Sequence, residues 1–396
     1  MKIIARMAEL GGADSLMDIS AAHIDSAIFT GDATLEFAEH LSGLGAHVAV
    51  PSSLNVSGLD EFGWQEWAVP PEWAAKAQRQ MQAYQKMGCV PIWTCAPYQT
   101  EMKPSFGQQV AWGESNAIAF ANSVIGARTE RYPDLMDICA AITGRVPAAG
   151  LHLTRNRKAT LLLQLRQIPR KVREDESFYP VLGLLMGTVA ENQILAVEGI
   201  EVRPTEDQLK AMCAAVSSSG SVALFHLIGI TPEARTREDA FQGEEPERIV
   251  NVTMEDLRSA YRQLTTSEGE KLDMVVLGSP HFSLAEFQLL APLLQGKHRH
   301  PNVQFLVTTS RGMKLLAEQS GALQPLIDFG GKITVDTCVL TTPMLHPSTH
   351  ILMTNSAKYS YYAPGLLNTQ VVFGSMADCV QSAITGRVVR NNGVWR

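Results

Sequence analysis

The sequence lacks the features that mark membrane, nucleic-acid-binding and disulfide-stabilised proteins. Its most apolar stretch, residues 181–197, is interrupted by Glu191, Asn192 and Gln193, so it falls short of the ~18 apolar residues of a transmembrane helix. A net charge of −7 disfavours general binding to nucleic acid or to anionic membranes. Six cysteines in 396 residues, with no Cys-x-x-Cys pair, exclude a disulfide scaffold, a zinc ribbon and a thioredoxin motif. We therefore predict no membrane span and no nucleic-acid partner.

The common short catalytic motifs are also missing. The chain contains no Walker A sequence, no complete Gly-x-Gly-x-x-Gly, no His-Glu-x-x-His and no Gly-x-Ser-x-Gly. The N-terminal residues lack the apolar core and cleavage site of a signal peptide, so we expect a cytoplasmic protein. With 45% hydrophobic and 18% charged residues, the composition is that of a globular protein with ample material for a core.

The second half of the chain alternates strand-like and helix-like segments. Apolar runs that predict strands occur at residues 222–230, 272–277, 303–308, 333–338, 351–354 and 371–373. Two of the intervening helices begin with capping patterns, Thr253 with Asp256 and Ser283 with Glu286. This alternation is typical of right-handed β-α-β units, so we predict an α/β fold with a mainly parallel sheet.

The first half of the chain is less regular. Its composition predicts helices at residues 33–44, 74–87 and 114–125, and strands at residues 46–50 and 89–93. Neither an internal repeat nor a low-complexity linker marks a domain boundary. We therefore divide the chain only approximately, into lobes of residues 1–200 and 201–396.

Polar and metal-capable residues follow the predicted strands, which is where open parallel sheets bind their ligands. Cys95 and Cys338 end two strands, Ser279 and His281 follow a third, and Lys358 follows a fourth. Each has a structural interpretation as well: a buried cysteine is more often a small core residue, Lys358 could pack on neighbouring tyrosine rings, and His281 could belong to a turn. Composition and spacing alone reach no further than an α/β enzyme with a polar cleft.

Nine segments, in order along the chain, resemble the catalytic part of aconitase X, a branch of the aconitase superfamily. They are AHIDSAIFTGDATLEF from Ala22, SSLNVSGLD from Ser52, WTCAPY from Trp93, AWGESNAIAFANSVIGART from Ala111, ITGRVPAAGLH from Ile142, LFHLIGITPEA from Leu224, GSPHFSLAEF from Gly278, VDTCVLTTP from Val335 and TNSAKYSYYAPG from Thr354. The ordered set extends over almost the whole chain. It implies an aconitase-like catalytic module for residues 1–396, built of parallel-sheet β-α-β lobes around a central cleft.

The resemblance implies a hydro-lyase that removes water from a small hydroxy acid with the help of an iron–sulfur cluster. Two activities are associated with it: conversion of cis-3-hydroxy-L-proline to 1-pyrroline-2-carboxylate, and dehydration of 5-phosphomevalonate. Both use a small swivelling domain, either fused or on a separate chain. This sequence has no matching segment, so we expect a small swivelling-domain subunit as partner and little activity from the chain alone.

The resemblance places cluster ligands at Cys95 and Cys338, and it puts Ser279 where archaeal relatives have a third cysteine. Serine is a hard, poor ligand beside thiolates. The expected cofactor is therefore an iron–sulfur cluster of open nuclearity, or iron alone. Cys89 lies an even number of residues from Cys95, so on a strand it would face the same way and could contribute.

The resemblance also assigns substrate contacts. They are Ile24, Asp25, Ser26, Asn55, Val56, Glu114, Ser115 and Lys358. Phosphomevalonate enzymes have Gly-Val-Ser and Asn-Pro where this chain has residues 24–26 and 55–56. A carboxylate at Asp25 would repel a phosphate and attract a secondary ammonium, which favours hydroxyproline as substrate. Asp25 could instead cap a turn and point away.

Dehydration requires help for the leaving hydroxyl, a base for the Cα proton and a grip on the carboxylate. We expect the metal at Cys95 and Cys338 to assist the hydroxyl, Glu114 to act as the acid–base group, and Lys358, Asn55 and Ser115 to hold the carboxylate. Glu114 and Ser115 could instead serve only as the first turn of a helix. Two other functions remain open: a dehydratase for phosphomevalonate or another hydroxy acid, and a non-catalytic iron–sulfur or regulatory protein.

Overall fold

A computed structural model describes residues 1–391 and 393–395, and its sheets follow the chain in three stretches. The first stretch contains α1 (Lys2–Leu10), β1 (Leu16–Asp18), β2 (Ala21–Ile24), α2 (Asp32–Gly43), β3 (Ser52–Leu54), α3 (Pro71–Lys86), β4 (Val110–Trp112), α4 (Ser115–Ala119), α5 (Met136–Thr143) and β5 (Arg145–Pro147). Here β3, β2 and β4 form a parallel sheet in that order, and β1 pairs with β5 in antiparallel fashion.

The second stretch is built around a four-stranded parallel sheet. It contains β6 (Leu161–Gln164), α6 (Arg170–Arg173), α7 (Phe178–Ala190), β7 (Leu195–Glu198), α8 (Glu206–Ser219), β8 (Phe225–Leu227), α9 (Arg237–Phe241), β9 (Arg248–Asn251) and α10 (Met254–Gln263). The strand order is β8-β7-β6-β9. The division into two lobes at residue 200 stays a prediction; β7 and β8, on either side of that point, are paired in this sheet.

The third stretch is the most regular. It contains β10 (Met274–Leu277), α11 (Leu284–Leu294), β11 (Gln304–Thr309), α12 (Arg311–Gln319), α13 (Gln324–Asp328), β12 (Lys332–Val335), β13 (Ile351–Thr354), α14 (Ala357–Leu366), β14 (Gln370–Phe373) and α15 (Met376–Thr385). All pairings are parallel, in the order β12-β11-β10-β13-β14. The predicted α/β class is thus confirmed, and both capping boxes, at Thr253 and at Ser283, are formed.

Two strands predicted in the first half are wrong. Residues 46–50 form no strand, because the Val48 and Ala49 N–H groups donate to carbonyls at helix ends, Met87 and Ala141, at 2.9 and 2.8 Å. In residues 89–93, Val90 forms only an isolated bridge with Ser53. The next residue is a proline, which has no N–H to extend a ladder.

The first and third stretches share one core, and the polar site lies beside it. Cys95 from the first stretch packs in the same buried cluster as Met274, Cys338 and Tyr359 from the third. The segments that follow β10 and β12 therefore meet the segment between α3 and β4 that carries Cys95, and the loop after β3. Within the residues described, no helix has both the length and the apolar character needed to cross a membrane.

Candidate active site

Glu114 and Lys358 come together from distant parts of the chain. Glu114 is the N-cap of α4, and Lys358 is the second residue of α14. Lys358 Nζ donates to Glu114 Oε1 at 2.6 Å, and the side chains are only 12% and 8% exposed. A buried ion pair of this kind is costly to break, because removing one partner leaves the other charge uncompensated.

The surroundings of Glu114 keep it ionised. Burial raises the pKa of Glu114, but the Lys358 ammonium and the Asn116 donors outweigh burial and hold this pKa at about 2. Besides Lys358, Oε1 accepts from the Asn116 backbone N–H, the Asn116 amide and the Ser115 hydroxyl, at 3.2, 2.8 and 3.2 Å. Burial lowers the pKa of Lys358, but Glu114 raises it to above the ordinary lysine value, so the ammonium stays charged.

Asn55 connects Glu114 to a second carboxyl group, that of Asp25. The Asn55 side-chain amide donates both to the Asp25 carboxyl and to Glu114 Oε2, the latter at 3.2 Å. Burial raises the pKa of Asp25 well above 3.8, and the negative charge of Glu114 raises it further. Two carboxyl groups with opposite pKa shifts thus lie in one site. We call Asp25, Asn55, Glu114 and Lys358 the carboxylate half.

The turn that carries Asp25 is held by Asp137, a residue that the sequence patterns did not single out. Its carboxylate accepts from the Asp25 and Ser26 N–H groups at 2.6 and 2.9 Å and from the Ser26 hydroxyl at 2.7 Å. Tyr84 also donates to Ser26 Oγ, at 3.0 Å. A Cβ at Gly113 would approach Asp25 Cβ to 2.6 Å, so only glycine allows this turn to pack against the start of α4.

The remaining predicted contact residues fall into two kinds. Ile24 and Val56 are buried core residues, and the Ile24 carbonyl accepts from the Asn55 N–H at 3.0 Å. Ser115 is partly exposed, and its hydroxyl supports Glu114. Ile24 and Val56 therefore shape the site, whereas Ser115 presents a polar group beside the carboxylate half.

Cys95 and Cys338 form the thiol half of the site. Both are buried, and burial raises the pKa of both thiols, that of Cys95 to about 12. The nearby Lys358 charge lowers both pKa values, and Cys338 acts electrostatically on Cys95. The Cys338 thiol donates to Tyr359 Oη at 3.7 Å. The two thiols and the buried ammonium thus share one neighbourhood.

Ser279 lies on the segment that covers Cys95. It is buried after β10, and its carbonyl accepts from the Ser356 hydroxyl. Two residues on, the His281 N–H donates to Cys95 Sγ at 3.2 Å. Burial and the nearby negative charge of Asp137 raise the pKa of the Cys89 thiol to about 12.

His281, which the sequence placed among the polar residues after the predicted strands, lies between the two cysteine segments. Its Nδ1 bonds to Thr94 Oγ1 at 3.2 Å and its Nε2 to the Thr337 carbonyl at 2.9 Å. Burial lowers its pKa to about 4, so the ring is neutral. One sequence signal could have indicated this bridge: a threonine directly precedes each of the two cysteines, Cys95 and Cys338.

The two buried thiols are the metal-capable donors of the thiol half. Across residues 1–391 and 393–395, no group of three or more Cys, His, Asp or Glu side chains is arranged to hold a metal ion. Two buried thiols beside the Ser279 segment fit a metal centre with two thiolate ligands. They do not fit a cluster held by three cysteines.

Comparison with known proteins agrees with the proposed resemblance. Family models described as the first, second and third domains of aconitase X match residues 1–155, 159–262 and 272–385. The crystal structure of aconitase X from Thermococcus kodakaraensis in its holo-form aligns with a TM-score of 0.86 and 30% identity, over 96% of this chain and 94% of that one.

The curated relatives are dehydratases, which are hydro-lyases. The cis-3-hydroxy-L-proline dehydratases of Pseudomonas aeruginosa and Hypocrea jecorina are 46% and 42% identical over 100% and 98% of this chain. This chain spans about two thirds of their length, 68% and 65%. The phosphomevalonate dehydratase large subunit of Methanocaldococcus jannaschii is 34% identical over 96% of this chain and 94% of its own.

The two predictions that rested on the nine ordered segments, the family and its fold, are therefore confirmed. A match to one solved structure alone could reflect a shared fold without common ancestry. Here three domain models match in sequence order, and relatives and a solved structure cover nearly the entire chain. These matches establish that the chain belongs to the aconitase X family.

Proposed function

We propose that this chain is the catalytic large module of a hydro-lyase that converts cis-3-hydroxy-L-proline to 1-pyrroline-2-carboxylate. The observation that carries the proposal is the placement of Asp25. Its carboxyl lies in the same site as the Lys358 ammonium, with Asn55 bonded to it. A site with one cationic and one acidic end complements an amino acid that bears a carboxylate and a ring ammonium. The greater identity to hydroxyproline dehydratases than to phosphomevalonate dehydratases supports the same substrate.

The charge balance of the site opposes a phosphorylated substrate. Asp25 lies close enough to Glu114, Asp134 and Asp137 for each to raise its pKa, and Lys358 is the cation that opposes them. A phosphate brought to this end would meet like charge, whereas a secondary ammonium would be attracted. Binding of the ammonium would also favour the ionised form of Asp25.

The ion pair of the carboxylate half supplies two roles in the proposed reaction. Lys358 uses one donor on Glu114 Oε1, and its other N–H groups would grip the substrate carboxylate together with Asn55 and Ser115. As negative charge develops on that carboxylate during removal of the Cα proton, these donors would stabilise it. Glu114 is ionised, which is the form that accepts a proton, and its Oε2 is the less heavily bonded oxygen.

The overall change is the loss of the Cα proton and the C3 hydroxyl as one water molecule. The elimination gives an enamine, and a proton then moves from nitrogen to C3 to give the cyclic imine. Cys95 and Cys338, with Ser279 nearby, would hold iron or an iron–sulfur group. When bound, this group supplies Lewis-acid assistance to the departing hydroxyl.

The proposal includes a small swivelling-domain subunit as partner. The phosphomevalonate dehydratase relatives are named large subunits. This chain covers 94% of the length of one of them. This architecture also supports a second candidate function, the large subunit of a dehydratase for phosphomevalonate or another hydroxy acid. The acidic surroundings of Asp25 favour the hydroxyproline substrate over the phosphorylated one.

An anaerobic assay with both substrates tests the proposal. The chain is co-expressed with its small subunit, given cis-3-hydroxy-L-proline or 5-phosphomevalonate, and analysed for iron and sulfide. Formation of the cyclic imine supports the proposal, and turnover of phosphomevalonate alone contradicts it. Bound iron with no turnover of either substrate would indicate that the substrate is another hydroxy acid. Absence of both metal and turnover would indicate a non-catalytic protein.

A further inference from the structure

His281 connects the two loops that carry the cysteines. It is 1% exposed and follows β10. The Thr337 carbonyl can only accept, so His281 Nε2 carries the proton and donates at 2.9 Å. Nδ1 is then an acceptor for the Thr94 hydroxyl at 3.2 Å. Thr94 and Thr337 immediately precede Cys95 and Cys338, so one imidazole bridges the residues next to both thiols.

The contacts of His281 indicate that it supports the cysteine loops and does not bind a metal itself. Because both ring nitrogens are occupied, the imidazole is unavailable as a metal ligand. Its backbone N–H donates to Cys95 Sγ at 3.2 Å, a bond that strengthens when the sulfur is a thiolate. Its carbonyl accepts from Lys210 Nζ at 3.2 Å, and Lys210 is itself buried and paired with Glu286. The backbone of the histidine is thus anchored to α8.

The two cysteine loops need such an anchor. Trp93 and Asp336, each two residues before a cysteine, have φ angles of 43° and 65°. Positive φ is unfavourable for residues other than glycine and persists only when the surroundings enforce it. Asp336 is held by Arg311, whose Nε and Nη2 donate at 2.9 and 2.6 Å. The His281 bridge restrains both loops at the next residue along the chain.

We infer that His281 is a positioning residue that sets the placement of Cys95 relative to Cys338 by bridging Thr94 and Thr337. The inference rests on the proposed assignment of the two cysteines as metal ligands. It extends that assignment to a residue that acts through the two cysteine loops. Groups that orient metal ligands in this way commonly change metal affinity 10–100-fold when they are replaced.

The test compares five forms of the chain in a cadmium titration under anaerobic, metal-free conditions, in which absorption from thiolate-to-cadmium charge transfer reports binding. His281→Leu removes both ring contacts and keeps the volume. His281→Gln keeps a donor that can reach the Thr337 carbonyl. The matched control is His226→Leu, since His226 is 2% exposed and also bonds a backbone carbonyl, that of Arg157 at 2.8 Å. The fourth and fifth forms are Cys338→Ser and the unchanged chain, and circular dichroism reports folding.

We expect His281→Leu to bind cadmium about 10–100-fold more weakly, His281→Gln to fall between it and the unchanged chain, and His226→Leu to bind normally. Normal affinity in His281→Leu, or an equal loss in His226→Leu, would overturn the inference. If His281→Leu does not fold, His281→Gln decides, and unchanged affinity in it counts against the inference. Cys338→Ser separates the two proposals: if it binds cadmium as the unchanged chain does, the metal assignment fails and the positioning role with it.

Discussion

The carboxylate half and the thiol half of the site are neighbours, but different forces hold them in place. In the carboxylate half, charged and amide side chains bond directly to each other, as in the Lys358–Glu114 pair at 2.6 Å. In the thiol half, loops with positive φ at Trp93 and Asp336 carry the cysteines, and His281 bonds to both loops. The difference indicates that charge balance governs the first half and backbone placement the second.

The largest expected effect comes from breaking the charge balance. Lys358→Met and Glu114→Gln each leave one buried charge unpaired, so we expect each to lower the free energy of unfolding by about 3–5 kcal/mol. We expect turnover to fall by about 10²–10³-fold in each variant. Lys358→Met removes a donor to the charge that develops on the substrate carboxylate, and Glu114→Gln removes the ionised partner of that donor.

The double variant, Lys358→Met with Glu114→Gln, is the control for this prediction. It removes both charges, so stability should recover while turnover stays low. Denaturant unfolding and the dehydration assay measure the two quantities. Recovery of turnover together with stability would show that the pair is structural only.

The thiol half should respond in metal content. We expect Cys338→Ser to lose bound iron and turnover, because serine is a poor substitute for a thiolate ligand. Cys379→Ser is the matched control, since Cys379 is buried in the core of the third sheet. Iron analysis and turnover should be unchanged in the folded control. Equal iron in the two variants would refute the ligand assignment.

Asp25→Asn should weaken substrate binding more than it lowers kcat. Loss of a buried partner for the ring ammonium should raise KM for cis-3-hydroxy-L-proline by about 10²-fold. Asp134→Asn is the graded control, because Asp134 has an exposed side chain and also acts electrostatically on Asp25. A KM effect as large in Asp134→Asn would contradict the role of Asp25.

The same variant has a pH signature. Because the pKa of Asp25 is raised above 3.8 in the folded chain, the folded state holds a proton that the unfolded state releases. The Asp25 contribution to the free energy of unfolding therefore falls as pH rises from about 3.8 through the raised pKa. Substrate affinity should rise over the same interval, as the carboxylate that attracts the ammonium forms. In Asp25→Asn, the pH dependence of the free energy of unfolding and that of substrate affinity should both be weaker. If both pH profiles are unchanged in this variant, Asp25 is not their source.

The smallest expected effect concerns the packing behind Asp25. Gly113→Ala would bring a Cβ to 2.6 Å from Asp25 Cβ and to 2.8 Å from Asp137 Oδ2. We expect a cost of about 1–3 kcal/mol and a rise in KM as the turn shifts. Gly312→Ala, in α12 with open space around its Cβ, should be neutral or slightly stabilising. Thermal unfolding of the two variants makes the comparison, and equal stability would show that the turn is not tightly packed.

Local patterns predicted the third sheet much better than the first. The strand expected at 351–354 is β13 itself, and the strand expected at 303–308 is β11, shifted by one residue. These elements are regular because their capping residues, apolar runs and stop signals all lie nearby in sequence. In the first stretch, the N–H groups of Val48 and Ala49 find partners on distant helices, so propensity alone predicted a strand that does not form.

The sequence by itself determined the family, the α/β class and the residue types of the site, because these depend on patterns carried by contiguous segments. It also indicated that Glu114 and Lys358 would share the site, although 244 positions separate them. Only the tertiary structure decided the protonation states and the supports. The opposite pKa shifts of Asp25 and Glu114, the anchoring by Asp137 and the His281 bridge all arise from burial and from contacts between distant loops. Such contacts leave no periodic trace in a single sequence, because each depends on the folding of elements far apart along the chain.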